Sequence, residues 1–267
     1  MKLIITKHNL GLWAANQVAQ RINETNKNPF VLGLPTGGTV EDMYAALSSL
    51  VKHQKVSFKN VVSFNMDEYV GLAPEHDQSY HYYMNYHLFS HIDIDPKNTH
   101  ILNGQAADLA AECAAYEDAI KQTGGIDLFL GGVGQNGHLA FNEPGSGFDS
   151  RTRVVDLTEN TIEANSRFFG GDLKAVPTQA LSVGIGTVLA AKELLFLASG
   201  AKKAEAVAQL TQEGVSTRWP VTALKTHANA TLLVDEAAAS LLTGATKEEL
   251  DKQKQANPQG DWILHLG

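Results

Sequence analysis

Basic residues are in short supply: 21 lysines and arginines stand against 29 aspartates and glutamates, a formal net charge of −8. Nucleic acid and anionic membrane both demand a basic face, so this balance excludes them as partners, and any anionic ligand must be held by a few local cations. Cysteine is scarcer still. Cys113 stands alone in an alanine-rich helical pattern, so there is no disulfide framework and the thiol is expected as a small buried group rather than a nucleophile. No run approaches the ~20 apolar residues of a membrane span. The opening segment MKLIITKHNL holds only three consecutive apolar residues before Thr6 and Lys7, too short for a secretory signal, which points to a cytoplasmic address. Gly-x-Ser-x-Gly is absent, which removes support for a nucleophile-elbow hydrolase.

What the 267 residues do contain is an alternation of short apolar runs with amphipathic stretches. Strands are expected at 2–6, 30–34, 61–66, 100–102, 126–130, 153–157, 181–183, 194–198 and 231–234, with helical patterns at 9–22, 39–52, 108–122 and 201–210. Runs apolar throughout, such as IDLFL and LLFLA, suit parallel strands covered on both faces. The expected fold is α/β: an open, doubly wound, mostly parallel sheet flanked by helices, Rossmann-like, in a single domain spanning 1–267. The polar tail reads as a last helix and a loop, with residues 262–264 docking back.

In such sheets ligands bind outside the carboxyl ends of the strands, and three loops there are unusual. Pro35-Thr36-Gly37-Gly38-Thr39 follows a strand and leads into a helix with Thr39 as its expected N-cap. Backbone N–H groups, hydroxyls and a helix N-terminus suit a phosphate, although a plain strand-to-helix turn fits equally well. Asp67-Glu68-Tyr69 ends another strand. Adjacent residues there point in different directions, so at most one carboxylate faces a given substrate atom, and a solvated loop is the competing reading. The third loop, from Gly131 to Pro144, is the densest. Gly132, Gly134 and Gly137 fit a dinucleotide fingerprint, but Pro144, Gly145 and Gly147 interrupt the long helix that such a site requires. An imidazole, His138, among Asn136 and Glu143 instead suits close backbone approach and proton transfer. Arg167 and the pair Lys202-Lys203 are isolated cations in an acidic chain, and lysines that open a helix are explained by a bound anion or by solvation. His87 and His91 are spaced i,i+4 but lack supporting ligands, so no metal is expected.

The segments LGLPTGGT, SFNMDEYVGL, GGVGQNGHLAFNEPGS, SRTR, NSRFF and SVGIGT, in that order and up to about residue 235, together resemble the glucosamine-6-phosphate deaminase family. The resemblance implies an isomerising deamination of glucosamine 6-phosphate to fructose 6-phosphate and ammonia, without metal or redox cofactor. It makes Asp67 the base that moves a proton between C2 and C1, and His138 the ring-opening group supported by Glu143 and Asn136. It makes Pro35, Thr36, Gly37, Gly38, Thr39, Arg167 and Lys203 the holders of the sugar phosphate. Many members carry Asp where this chain has Asn136, which could stabilise protonated His138 only by orientation and not by charge.

Allosteric members are hexamers activated by N-acetylglucosamine 6-phosphate near the segment that resembles Ser150-Arg151-Thr152-Arg153. A residual effector site at Ser146 and Arg153 follows from the resemblance, but a lysine of those members is Val155 here, so weak or absent activation is expected; a monomer is equally compatible. Two alternatives share the anion-binding features: a 6-phosphogluconolactonase-like hydrolase, which has no need of the Asp67 base, and a non-catalytic sugar-phosphate sensor, which has no need of Asp67, His138 and Glu143 together.

Overall fold

Strands that are apolar at every position must be covered on both faces, and the computed structural model, which describes residues 1–212 and 214–266, shows how this is done. In chain order the strands are β1 (Lys2–Thr6), β2 (Phe30–Leu34), β3 (Val61–Asn65), β4 (Asp67–Tyr69), β5 (Thr99–His100), β6 (Leu128–Gly132), β7 (Arg153–Asp156), β8 (Gln179–Ser182), β9 (Glu193–Ala198), β10 (Ala230–Asp235) and β11 (Trp262–His265). The α-helices are α1 (Leu10–Glu24), α2 (Glu41–Lys52), α3 (Tyr80–His87), α4 (Leu109–Gln122), α5 (Glu159–Ser166), α6 (Ile185–Leu189), α7 (Ala204–Gln209) and α8 (Gly244–Ala256).

Eight strands form the main sheet in the order β11-β1-β10-β9-β6-β2-β3-β5. All neighbours are parallel except β11, which runs antiparallel to β1, so the tail docks back as expected. Successive residues of one strand feed opposite cores. Leu194 and Phe196 join one apolar cluster with Cys113, Tyr116 and Ile120 of α4 and Val207 of α7. Leu195 and Leu197 join another with Val18 of α1, Met43 of α2 and Met84 of α3. Each fully buried leucine or phenylalanine stabilises the fold by ~1.5–3 kcal/mol, which sets the register of every strand.

From β2 the chain builds outward through β3 to β5, and from β6 it builds the other way through β9 to β10. The strand order therefore reverses between β2 and β6, and the crevice at their carboxyl ends receives the Pro35–Thr39 loop and the His138 loop.

The single-sheet expectation needs correcting. Strands do form at Arg153–Asp156 and Gln179–Ser182, but β7 and β8 pair with β4 in a separate three-stranded antiparallel sheet, ordered β4-β8-β7. Strand β7 is only half-buried along most of its length, as expected of a strand with one covered face. Thr39 does not cap α2 either. It lies inside a 3-10 turn, Gly38–Val40, and Val40 occupies the cap position of α2 without a side-chain hydrogen bond.

Candidate active site

The adjacent acids of β4 have separate tasks. Glu68 is buried, and its carboxylate accepts hydrogen bonds from the backbone N–H of Tyr80 at 2.9 Å and of His81 at 3.1 Å, the first turn of α3, and from His81 Nδ1 at 2.9 Å. A carboxylate at a helix N-terminus offsets the orphan donors there, so Glu68 is committed to the fold. Asp67 is also buried, and its pKa is pushed up to about 8, first by burial and then by the neighbouring charge of Glu68. Tyr44, Tyr80 and Tyr116 all lie close enough to feel its charge. A carboxyl of this kind exchanges a proton near neutral pH, as a general base or acid requires.

His138 is placed by glycine. A Cβ on Gly134 would come within 2.3 Å of the His138 ring, so the ring rests directly on bare backbone. After Gly137, which has φ +80°, no helix forms, and the loop closes through isolated bridges between Val133 and Leu139 and between Leu139 and Asn142. The dinucleotide geometry is accordingly not built. His138 Nδ1 stands 3.6 Å from Glu143 Oε1, and the imidazole pKa is lowered, chiefly by burial, with Lys203 adding to the effect and Glu143 opposing it.

Glu143 is itself held at both oxygens, by Asn136 Nδ2 at 2.6 Å and Thr161 Oγ1 at 2.7 Å. Asn136 therefore departs from the expected role: its amide does not meet the His138 ring but donates to Glu143, while its Oδ1 accepts from the His138 backbone N–H at 3.2 Å. An amide bridges these acceptors and donors, whereas an ionised Asp at this position would set two carboxylates against each other.

The anion-binding candidates converge on the same crevice. Gly37 adopts φ +104°, a region that disfavours side-chain-bearing residues. Its loop is pinned by Tyr44 Oη donating to the Pro35 carbonyl and by Tyr83 Oη donating to the Gly37 carbonyl at 3.0 Å. Gly38 and Thr39 are exposed on the loop. Lys203 ends a 3-10 turn after β9, and its pKa is lowered by burial and by the nearby guanidinium of Arg167. A buried lysine beside a second cation is the arrangement an anion relieves. Lys202, by contrast, is exposed.

Several contributors had no local signal. Asp235 accepts from the Gly200 N–H at 2.9 Å and Ser199 Oγ at 2.6 Å, shaping the turn that carries Lys203. Thr161 and Asn165, on α5, reach Glu143 and Tyr69 respectively. Ser146 lies on a turn and donates its backbone N–H to the Glu143 carbonyl at 3.0 Å, whereas Arg153 reaches Asn142. A separate cavity of about 550 Å³, lined by His81, His100, Glu112 and Tyr116 among others, lies toward the β5 edge and contains none of Asp67, His138, Glu143, Arg167 and Lys203.

A family model described as glucosamine-6-phosphate isomerases/6-phosphogluconolactonase matches residues 6–233. The chain belongs to this family. Within it, the chain is 53% identical over 243 residues to a glucosamine-6-phosphate deaminase of Drosophila melanogaster, with 89% of each chain covered. It is 48% identical over 266 residues to one of Borreliella burgdorferi, covering 98% of this chain and 99% of the relative. Among solved structures it is similar to a monomeric glucosamine-6-phosphate deaminase, at 44% identity and TM-score 0.86, covering 90% of this chain and all of that one. A 6-phosphogluconolactonase from Trypanosoma cruzi shares the fold at 18% identity and TM-score 0.70. The family's shared scaffold is thus present, with deaminases on the near side of this chain and lactonases on the far side.

Proposed function

We propose that the chain is a glucosamine-6-phosphate deaminase, producing fructose 6-phosphate and ammonia. The observation that carries this reading is Asp67, a buried carboxyl brought to a near-neutral pKa just past the carboxyl end of β3, the neighbour of β2. Hydrolysis of a lactone needs no such group, whereas an aldose–ketose isomerisation needs a base that takes a proton from one carbon and returns it to the next. Identity near 50% to deaminases over most of the chain supports the same choice.

The residues divide the reaction as follows. The His138 imidazole, with its lowered pKa and Glu143 nearby, moves a proton between the anomeric hydroxyl and the ring oxygen and opens the sugar ring. Asp67 takes the proton from C2, giving an enolamine, and delivers it to C1, leaving an iminium at C2. Water adds there, and the C–N bond breaks with release of ammonia, a net hydrolysis of that bond. Arg167, Lys203 and the Pro35–Thr39 loop hold the phosphate and supply remote binding energy for these steps.

No helix among the described residues is long and apolar enough to cross a membrane. We place the enzyme in the cytoplasm, in amino-sugar catabolism downstream of N-acetylglucosamine. The deciding experiment is a coupled assay for ammonia and fructose 6-phosphate on glucosamine 6-phosphate, run beside hydrolysis of 6-phosphogluconolactone. Lactone hydrolysis without ammonia release overturns the assignment, and tight sugar-phosphate binding without turnover of either compound leaves the sensor.

A further inference from the structure

Three residues stand in one transverse row of the small sheet: Asp67 on β4 and Arg153 on β7 are both in-register partners of Ser182 on β8. In-register neighbours on antiparallel strands point to the same face. The face that carries Asp67 also grips the loop that carries His138 and Glu143. Ser182 Oγ accepts from the Phe141 N–H at 3.2 Å, and Arg153 Nη1 donates to Asn142 Oδ1 at 2.8 Å and, more weakly, to the Arg151 carbonyl at 3.4 Å. Asn142 is fully buried, and its Nδ2 donates to the carbonyls of Leu139 at 2.9 Å and Val183 at 2.8 Å, so it ties the loop's two ends to each other and to β8. Its one remaining polar atom is the oxygen that Arg153 takes. The segment bearing Arg153 is in turn anchored to α4, because Glu117 Oε1 accepts from the Thr152 N–H at 2.9 Å and hydroxyl at 2.6 Å.

We infer that Arg153 is a positioning residue for the reaction: acting through Asn142, it holds the 138–143 loop in register with Asp67, so that the ring-opening pair and the enolisation base face one substrate. Its guanidinium has this internal task whether or not an effector is bound. Burial lowers its pKa, which agrees with a group turned toward the protein. The inference rests on the deaminase reading for its kinetic consequence but not for its structural one.

The test therefore has two arms. Histidine NMR titration of the wild type, Arg153→Met and Asn142→Ala, without substrate, reads the surroundings of His138, which Glu143 and Lys203 face. Arg153→Met is expected to move the His138 midpoint by ~0.5 pH unit or more. In the ammonia assay the same variant should lower kcat by ~10-fold or more, with KM within ~3-fold and a displaced pH profile. Adding Arg153→Met to Asn142→Ala should cause no further change, as expected for two residues acting in series. Should Arg153→Met not fold, Arg153→Lys, which keeps the charge but loses the planar fork, should give the same shifts in smaller measure. A titration and pH profile that superimpose on the wild type overturn the inference. A wild type that releases no ammonia overturns the proposed function instead and leaves the NMR arm to decide this one.

Discussion

His138 Nδ1 and Glu143 Oε1 are 3.6 Å apart, just beyond hydrogen-bond reach, although Glu143 is already held by Asn136 and Thr161. The carboxylate is anchored and the imidazole rests on glycine, so closing the gap is a matter of a small ring displacement when substrate arrives. Catalytic hydrogen bonds that are loose in the free enzyme and tighten on binding are common.

The ring's seat can be tested at Gly134. A methyl group there would meet the imidazole at 2.3 Å while leaving the backbone angles acceptable, since Gly134 is not among the residues with positive φ. Gly134→Ala is expected to fold with a near-normal Tm and to lose ~100-fold in kcat, through misplacement of His138 by about 1 Å. Steady-state kinetics alongside thermal unfolding checks both halves.

Asp67→Asn should abolish ammonia release while sugar-phosphate binding, measured by calorimetry, is kept. It should also change stability in a defined direction. The native carboxyl binds its proton up to about pH 8, whereas the unfolded chain releases it near the ordinary aspartate value of 3.8. The native state therefore holds the extra proton across that window, and Asp67 makes stability fall as pH rises through it. Denaturant unfolding at pH 4, 6 and 8 should show a steeper loss for the wild type than for Asp67→Asn, on the order of a few kcal/mol over the window. Parallel curves refute the buried-acid assignment.

The phosphate assignment predicts that Arg167→Ala and Lys203→Ala each weaken binding by ~1.5–3 kcal/mol, or about 10- to 150-fold in KM. Glucosamine without phosphate should be a very poor substrate. Equal activity on both sugars disproves the assignment.

Effector response should be weak. Where allosteric relatives are read to carry a lysine, Val155 packs half-buried in a small cluster with Tyr69, Leu157 and Ala180, and Arg153 is engaged with Asn142. Substrate saturation is expected to be hyperbolic with or without N-acetylglucosamine 6-phosphate. A sigmoidal curve that the effector converts to a hyperbola contradicts this.

Much of this architecture was legible in the chain. Apolar runs at 30–34, 126–130 and 194–198 located central strands because burial on both faces leaves no alternation to misread. Strand-end geometry implied that only one of Asp67 and Glu68 faces a given substrate atom, because neighbouring side chains diverge, and the family resemblance told which. The small sheet was not legible, since the partnership of β4 with β8 joins residues more than a hundred positions apart and local composition does not tell which sheet a strand joins. Thr39 carried the composition of a cap, yet the 3-10 turn at Gly38–Val40 delays α2 past it. Thr161, Asn142 and Asp235 act only through tertiary contacts, so their residue types alone pointed nowhere.

The division of labour between Asp67 and Glu68 means that two intolerant neighbours would fail for unrelated reasons. In a library covering every substitution at both positions, selection for growth on an amino sugar would deplete 67 and 68 alike. A display screen that sorts only for folded protein would separate them: many Asp67 variants would pass, some of them enriched, while Glu68 variants would be lost with the start of α3, whose backbone donors they leave bare.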